Sequence, residues 1–245
     1  MQVDLTPLEQ LNCQYAFYYH LNGNPPLLRA NCERFAAASL IKIPILLAWV
    51  TLERQGQVDR CELCDLDQEP EVQGAGFVWQ MTSRKLSFQD VLLMMLAVSD
   101  NLCANLVMQR IGMERLNHII RDELDLTGTQ VNRKMMDLAS RSRGIENWIT
   151  VQDCVRLFDL VHGLSPAEKA WVEPALLACQ DSLLLARNIP VDSLEFYLKT
   201  GSISGVLHDW GYTPAGDIFL LTQQVDQELP VFKVFGQMGL WMVER

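Results

Sequence analysis

Strand-like runs gather at the two ends of this chain and helix-start signals fill its middle. The ends must therefore meet in one sheet while the middle folds as a separate helical block. Residues 15–20 are rich in aromatics, and 194–200, 206–212 and 218–222 are separated by glycine-bearing turns, as in antiparallel hairpins. Helix starts are marked by a Ser or Thr followed three residues on by an acid, which together satisfy amides a helix leaves unpaired. They occur at Thr6-Pro7-Leu8-Glu9, Ser87-Phe88-Gln89-Asp90, Thr150-Val151-Gln152-Asp153 and Ser165-Pro166-Ala167-Glu168. Further helical runs are 40–54, 102–111, 113–123 and, despite Gly236 and Gly239, 230–244; Gly163 closes the helix that begins at Val151. The expected fold class is α+β: an antiparallel sheet flanked by terminal helices, built from residues 1–36 and 185–245. An all-helical lobe, residues 37–184, is inserted between them, with a cleft at the junction.

Charge and hydropathy narrow the partners. Twenty basic against thirty acidic residues leave a net charge of -10, which repels a phosphate backbone or an anionic membrane surface. The longest apolar runs, near 43–52 and 91–98, fall short of the ~18 residues a spanning helix needs. Residues 1–9 carry no basic cluster and no apolar run, which reads as a cytoplasmic location, or a periplasmic or extracellular one if a leader has been removed. The seven cysteines are odd in number and scattered, the usage of a reducing compartment. Cys61 and Cys64 have metal or redox spacing, yet no second pair or histidine lies nearby. No metal or cofactor is expected.

The chemistry sits in three short motifs. Ser39-Leu40-Ile41-Lys42 opens a helix, and a spacing of three puts both side chains on one face, where an amine can take the serine proton. Exposed amides at that helix start suit an oxyanion. Pro44 cannot donate to the Leu40 carbonyl, so the first turn should be distorted or regular bonding should begin later. Ser99-Asp100-Asn101 lies between two helices sixty residues after Ser39, and Lys199-Thr200-Gly201 ends a strand one hundred residues after Ser99. The serine-lysine pair alone is weak, but all three in this order form a chance event on the order of one in several hundred.

This trio resembles the signature of class A β-lactamases and penicillin-binding proteins. The likeness extends through residues 38–44, 98–105, 199–202 and 205–209. It implies the class A fold and an acyl-enzyme on Ser39, with Lys42 as base. It also implies that Ser99 relays a proton to the leaving nitrogen, and that Lys199 holds Ser99 and the substrate carboxylate. Asn101 would bind the substrate amide; Thr200, Gly201 and Ser202 would bind substrate, and the backbone amides of Ser39 and Ser202 would form the oxyanion hole. Asp100 has a plainer reading as the residue that fixes its turn through backbone bonds.

Two departures from the family pattern bear on turnover. The water-activating glutamate of the family aligns with Met135, and the asparagine that helps it aligns with Ala139. Loss of a general base costs about 10² to 10⁴ in rate, so the acyl-enzyme should release slowly; Asp137 is the possible substitute base, or else a partner of Arg133. His208 falls where many relatives place a carboxylate-binding arginine, which makes it a candidate substrate contact. His20, His118 and His162 read as structural. Phe77 or Trp79, in a segment that borders the cleft of relatives, could stack on substrate or belong to the core.

The expected substrate is a small acyl compound. A serine hydrolase or acyltransferase with slow β-lactam hydrolysis leads; a non-turnover penicillin-binding or sensor module, and an esterase or peptidase, remain as alternatives.

Overall fold

The computed structural model describes residues 6–10, 12–190 and 193–243. A short helix α1 (Thr6–Glu9) leads into strands β1 (Gln14–Leu21), β2 (Leu27–Ala30) and β3 (Arg34–Ala36), then a 3-10 turn at Ala38–Ile41 that runs into α2 (Lys42–Arg54). The middle continues through β4 (Leu63–Asp65), β5 (Lys85–Ser87), α3 (Phe88–Ala97), α4 (Asn101–Ile111) and α5 (Met113–His118), which ends in a π turn at Ile119–Glu123. After α6 (Leu138–Ser142), β6 (Trp148–Thr150), α7 (Val151–His162) and α8 (Pro166–Leu177), the chain returns through β7 (Tyr197–Ile203), β8 (Val206–Thr213), β9 (Gly216–Gln223) and α9 (Glu228–Leu240). Residues 1–5 and Glu244, expected in the amino-terminal segment and the last helix, lie outside the described residues.

Local chemistry explains the helix starts. Ser87, Thr150 and Ser165 each accept the amide three residues on, and Ser165 with Glu168 completes a reciprocal capping box. Pro44 acts as expected: the turn before it is 3-10, and α-helical bonding begins at Lys42.

The two chain ends meet in one antiparallel sheet of order β2-β1-β9-β8-β7. Its pleat divides the side chains between two cores. Tyr18, Trp210, Tyr212 and Phe219 face the helices that pack below. Phe17, Leu198, Leu207 and Leu220 face α9 through Val231, Val234, Phe235 and Met238. Interior β8 is buried at every position, His208 and Asp209 included, so its sequence shows no alternation of apolar and polar residues. Glycines in α9 permit its close seat: a side chain on Gly239 would run into the Leu185 carbonyl, and one on Gly236 into Asn188. Gly239→Ala is expected to lower unfolding free energy by about 1 to 3 kcal/mol in urea titration, through overpacking against backbone that cannot yield; an unchanged midpoint would refute the close-approach argument.

The middle is not helical throughout, which corrects the expectation from sequence. β3 pairs with β6, and β4 with β5. At three residues each, these strands are too short for a period-two pattern to show. The β3–β6 pair anchors the chain just ahead of Ser39.

Candidate active site

Ser39 lies in the 3-10 turn that ends β3 and opens α2. Ala37 donates its amide to the Asn147 carbonyl at 2.8 Å, and Ala38 has a left-handed φ of 47°, an unusual conformation for a residue with a Cβ. The edge strand β7 presses on this turn. A Cβ at Gly201 would lie 3.0 Å from the Leu40 nitrogen and 3.1 Å from the Ser39 nitrogen, so glycine permits the approach. Exposed Ser202 follows on the same edge strand.

Ser99 occupies the sharp link between α3 and α4 with a φ of 54°. Buried Asp100 fixes that link, in line with its plainer reading. One carboxylate oxygen accepts the Cys103 amide at 3.0 Å and caps α4, and the other accepts the Val78 amide at 2.9 Å. A side chain on Gly76 would collide with Asp100, so the segment around residues 73–78 is locked onto the start of α4.

Lys42 is wholly buried and its amine is the hub. Nζ lies 3.1 Å from Ser39 Oγ, 3.1 Å from Ser99 Oγ, 2.6 Å from the Ser99 carbonyl and 3.0 Å from Asn101 Oδ1. Lys199, also buried, donates to Ser99 Oγ at 3.1 Å and to the Thr200 carbonyl at 2.7 Å. Burial, and then the charge on Lys199, push the Lys42 amine well below the ordinary lysine value. Lys199 is lowered by burial too, but Cys179, Asp209 and Asp181 pull it back upward. The arrangement therefore puts on one serine an amine biased toward its neutral form, on the next a second lysine amine that its neighbours favour as an ammonium, and amides at the turn where an oxyanion would form. Asn101 spends its oxygen on Lys42 and one amide hydrogen on the Gln73 carbonyl at 3.1 Å, leaving one hydrogen for a ligand.

Three expected site residues are placed otherwise. Thr200 follows Lys199 on a strand and so faces the opposite side of the sheet. Its hydroxyl donates to Asp209 Oδ1 at 3.0 Å, and only 3% of the residue is exposed. His208 is fully buried beneath β3 and touches no open cleft. Its Nε2 lies 2.8 Å from the Ala36 carbonyl, and its Nδ1 lies 2.8 Å from the Leu207 carbonyl and 3.1 Å from the Thr222 amide, so both ring nitrogens are taken up by backbone. Asp137 caps α6 by accepting the Ser140 amide at 2.9 Å, and these bonds to Ser140 hold it below the usual carboxylate range. It is spent as a cap, and Arg133 pairs with Glu146, Nε to Oε1 at 2.9 Å, not with Asp137.

Burial pushes His208 down to about 4, against the two backbone carbonyls that favour its charged form. A base depressed on folding contributes stability that is complete above its unfolded value near 6.5 and lost as pH falls toward 4, about 3 kcal/mol in all. The stability gap between wild type and His208→Gln should narrow by about that amount between pH 7 and pH 4.5 in denaturant titrations. A constant gap would refute it.

Met135 is the residue that the sequence reading aligns with the family's water-activating acid. Asn105 holds it from both sides: Met135 N donates to Asn105 Oδ1 at 2.7 Å, and Asn105 Nδ2 to the Met135 carbonyl at 3.2 Å. Its side chain belongs to the core, while Met136, with a φ of 61°, is 42% exposed and rests its thioether beside Gly74. Phe77 is also exposed, whereas Trp79 packs against the core. Sequence reading missed Asn105 and Asp209. Asn105 stands one turn after Asn101, so i, i+4 spacing was the available signal. Among the described residues no helix is long and apolar enough to cross a membrane, and no His, Cys, Asp or Glu cluster could hold a metal ion.

Comparison with known proteins places the fold. The profile of the β-lactamase enzyme family matches residues 6–236. In structure, the chain is similar to the β-lactamase from Sphaerobacter thermophilus DSM 20745, with TM-score 0.82 and 21% identity over 97% of this chain and 95% of that one. It is similar to an ancestral class A β-lactamase (GNCA), with TM-score 0.85 and 18% identity over 97% and 96%. It is similar as well to a point mutant of PBP-A in an acyl-enzyme complex with penicillin G, with TM-score 0.80 and 22% identity over 96% and 90%. No curated protein matches in sequence.

Proposed function

The chain belongs to the β-lactamase enzyme family, and from that membership we propose that it is a serine acyl-transfer enzyme that forms a slowly released acyl ester on Ser39. The observation that carries the proposal is the amine of Lys42, depressed by burial and within 3.1 Å of both Ser39 Oγ and Ser99 Oγ.

In this reading neutral Lys42 takes the Ser39 proton as Oγ attacks the carbonyl carbon of a β-lactam, ester or amide. The developing oxyanion sits on the amides of Ser39 and Ser202, each donor worth about 3 kcal/mol in the transition state. When the carbon–nitrogen bond breaks, the Ser99 hydroxyl hands its proton to the leaving nitrogen and is resupplied from Lys42, which carries the proton taken from Ser39. Lys199 orients Ser99 and attracts a substrate carboxylate, and the remaining Asn101 amide hydrogen meets the acyl amide. Release needs a water and a base. Met135 offers a thioether where that base would stand, so the ester persists and β-lactam hydrolysis is slow. Met135 also favours a second reading, in which acylation or occupancy is itself the output, as in a penicillin-binding module.

Intact mass after incubation with a penicillin tests the proposal. A persistent adduct of the drug's full mass is expected, mapping to tryptic peptide 35–42, whose single hydroxyl is that of Ser39. Modification elsewhere, or neither adduct nor drug loss with β-lactams and activated esters alike, would overturn it.

A further inference from the structure

Two buried lysines flank Ser99, yet the acyl-transfer reading needs one to be an amine and the other an ammonium. Their charged neighbours differ. Lys42 is faced by the like charge of Lys199 as well as by Asp100 and Cys103. Lys199 is faced by Cys179, Asp209 and Asp181, all of which favour its charged form.

Asp209 is the unusual member of that set. It is a fully buried carboxylate on β8, a strand buried at every position, and among the described residues it makes no ion pair with a lysine or arginine. Burying such a group is costly unless it is well bonded. Its oxygens accept the Thr200 hydroxyl and the Leu185 amide, each at 3.0 Å. Thr200 is its cross-strand neighbour and the residue whose carbonyl accepts the Lys199 ammonium at 2.7 Å. Ammonium and carboxylate thus grip one residue from opposite faces of the edge strand.

We propose that Asp209 is a positioning residue that acts through Lys199: its buried carboxylate keeps Lys199 an ammonium, so that of the two lysines around Ser99 only Lys42 serves as the base. The inference rests on the acyl-transfer reading for its consequence but not for its physics. Burial and neighbouring Asp181 push Asp209 up to about 7, against the bonds from Leu185 and Thr200 and the charge on Lys199. It therefore gains its charge as pH rises through neutrality, the range in which a buried ammonium would otherwise begin to discharge. Asp209 touches no reacting atom and donates no proton to the reaction.

Wild type and Asp209→Asn are compared in two measurements. In the rate of Ser39 acylation by a chromogenic cephalosporin against pH, the alkaline limb set by Lys199 discharge should fall about one pH unit lower in Asp209→Asn. A limb that stays in place would overturn the inference. In wild type carrying ¹³Cε-lysine, with signals assigned from Lys42→Arg and Lys199→Arg, the Lys199 signal should show a small step near pH 7 as Asp209 ionises. Its main transition should lie above that of Lys42. No step near 7, or Lys199 discharging below Lys42, would overturn the inference even if Asp209→Asn fails to fold. The spectra need no substrate, so they decide the role of Asp209 separately from whether Ser39 is acylated.

Discussion

Met135→Glu is expected to turn a persistent acyl-Ser39 ester into one that is released, with the deacylation rate rising by about 10² to 10⁴. The backbone at 135 is already held: Asn105 binds both its amide and its carbonyl, and the buried Arg133–Glu146 pair fixes the residues just before it. A glutamate placed there inherits a fixed position and not a mobile loop. Only 8% of Met135 is exposed, so burial would raise the new carboxyl toward neutrality, which suits a base that must collect a proton from water near pH 7. Ala139 supplies no amide to help hold that water, so the gain should fall toward the lower end of the range. The lifetime of the penicillin adduct by intact mass, measured on folded wild type and variant, reads the effect. Equal lifetimes would mean that something other than the missing acid limits release.

What could be read from sequence was whatever is encoded over a few neighbouring residues. Ser87, Thr150 and Ser165 announce their helices because a cap and its target lie three residues apart, and Ser39 with Lys42 announces a reactive pair for the same reason. The three motifs then fixed the family, and with it the sheet formed from both chain ends. The misplacements share a physical cause. Counting from Lys199 gave His208 its place on the strand but not its cover: whether a ring on that face meets solvent or the Ala36 carbonyl depends on β3, about 170 residues away. Thr200 was legible in principle, because the residue after an inward-facing lysine on a strand must face the other way. Asp209 was not, since its seat depends on Leu185 and Thr200 arriving from separate segments.

The depressed amine at Lys42 also separates two ways in which a buried lysine can help a serine. If Lys42 served as a fixed positive charge, Lys42→Arg would keep much of the acylation rate and Lys42→Met would lose it. If it acts as a base, both substitutions should slow acylation by about 10² to 10⁴, because a guanidinium cannot give up its proton at any working pH and a thioether has none to exchange. The base reading is favoured by the site itself: burial and the facing Lys199 charge both work against an ammonium at this position. It carries a signature in pH. Wild-type acylation should fall as pH drops through the lowered Lys42 value and the amine becomes protonated, whereas the residual rate of both variants should lack that acid limb. Pre-steady-state acylation by a chromogenic β-lactam from pH 5 to 9 measures both features together, and a Lys42→Arg enzyme that acylates at the wild-type rate would refute the role of Lys42 as base.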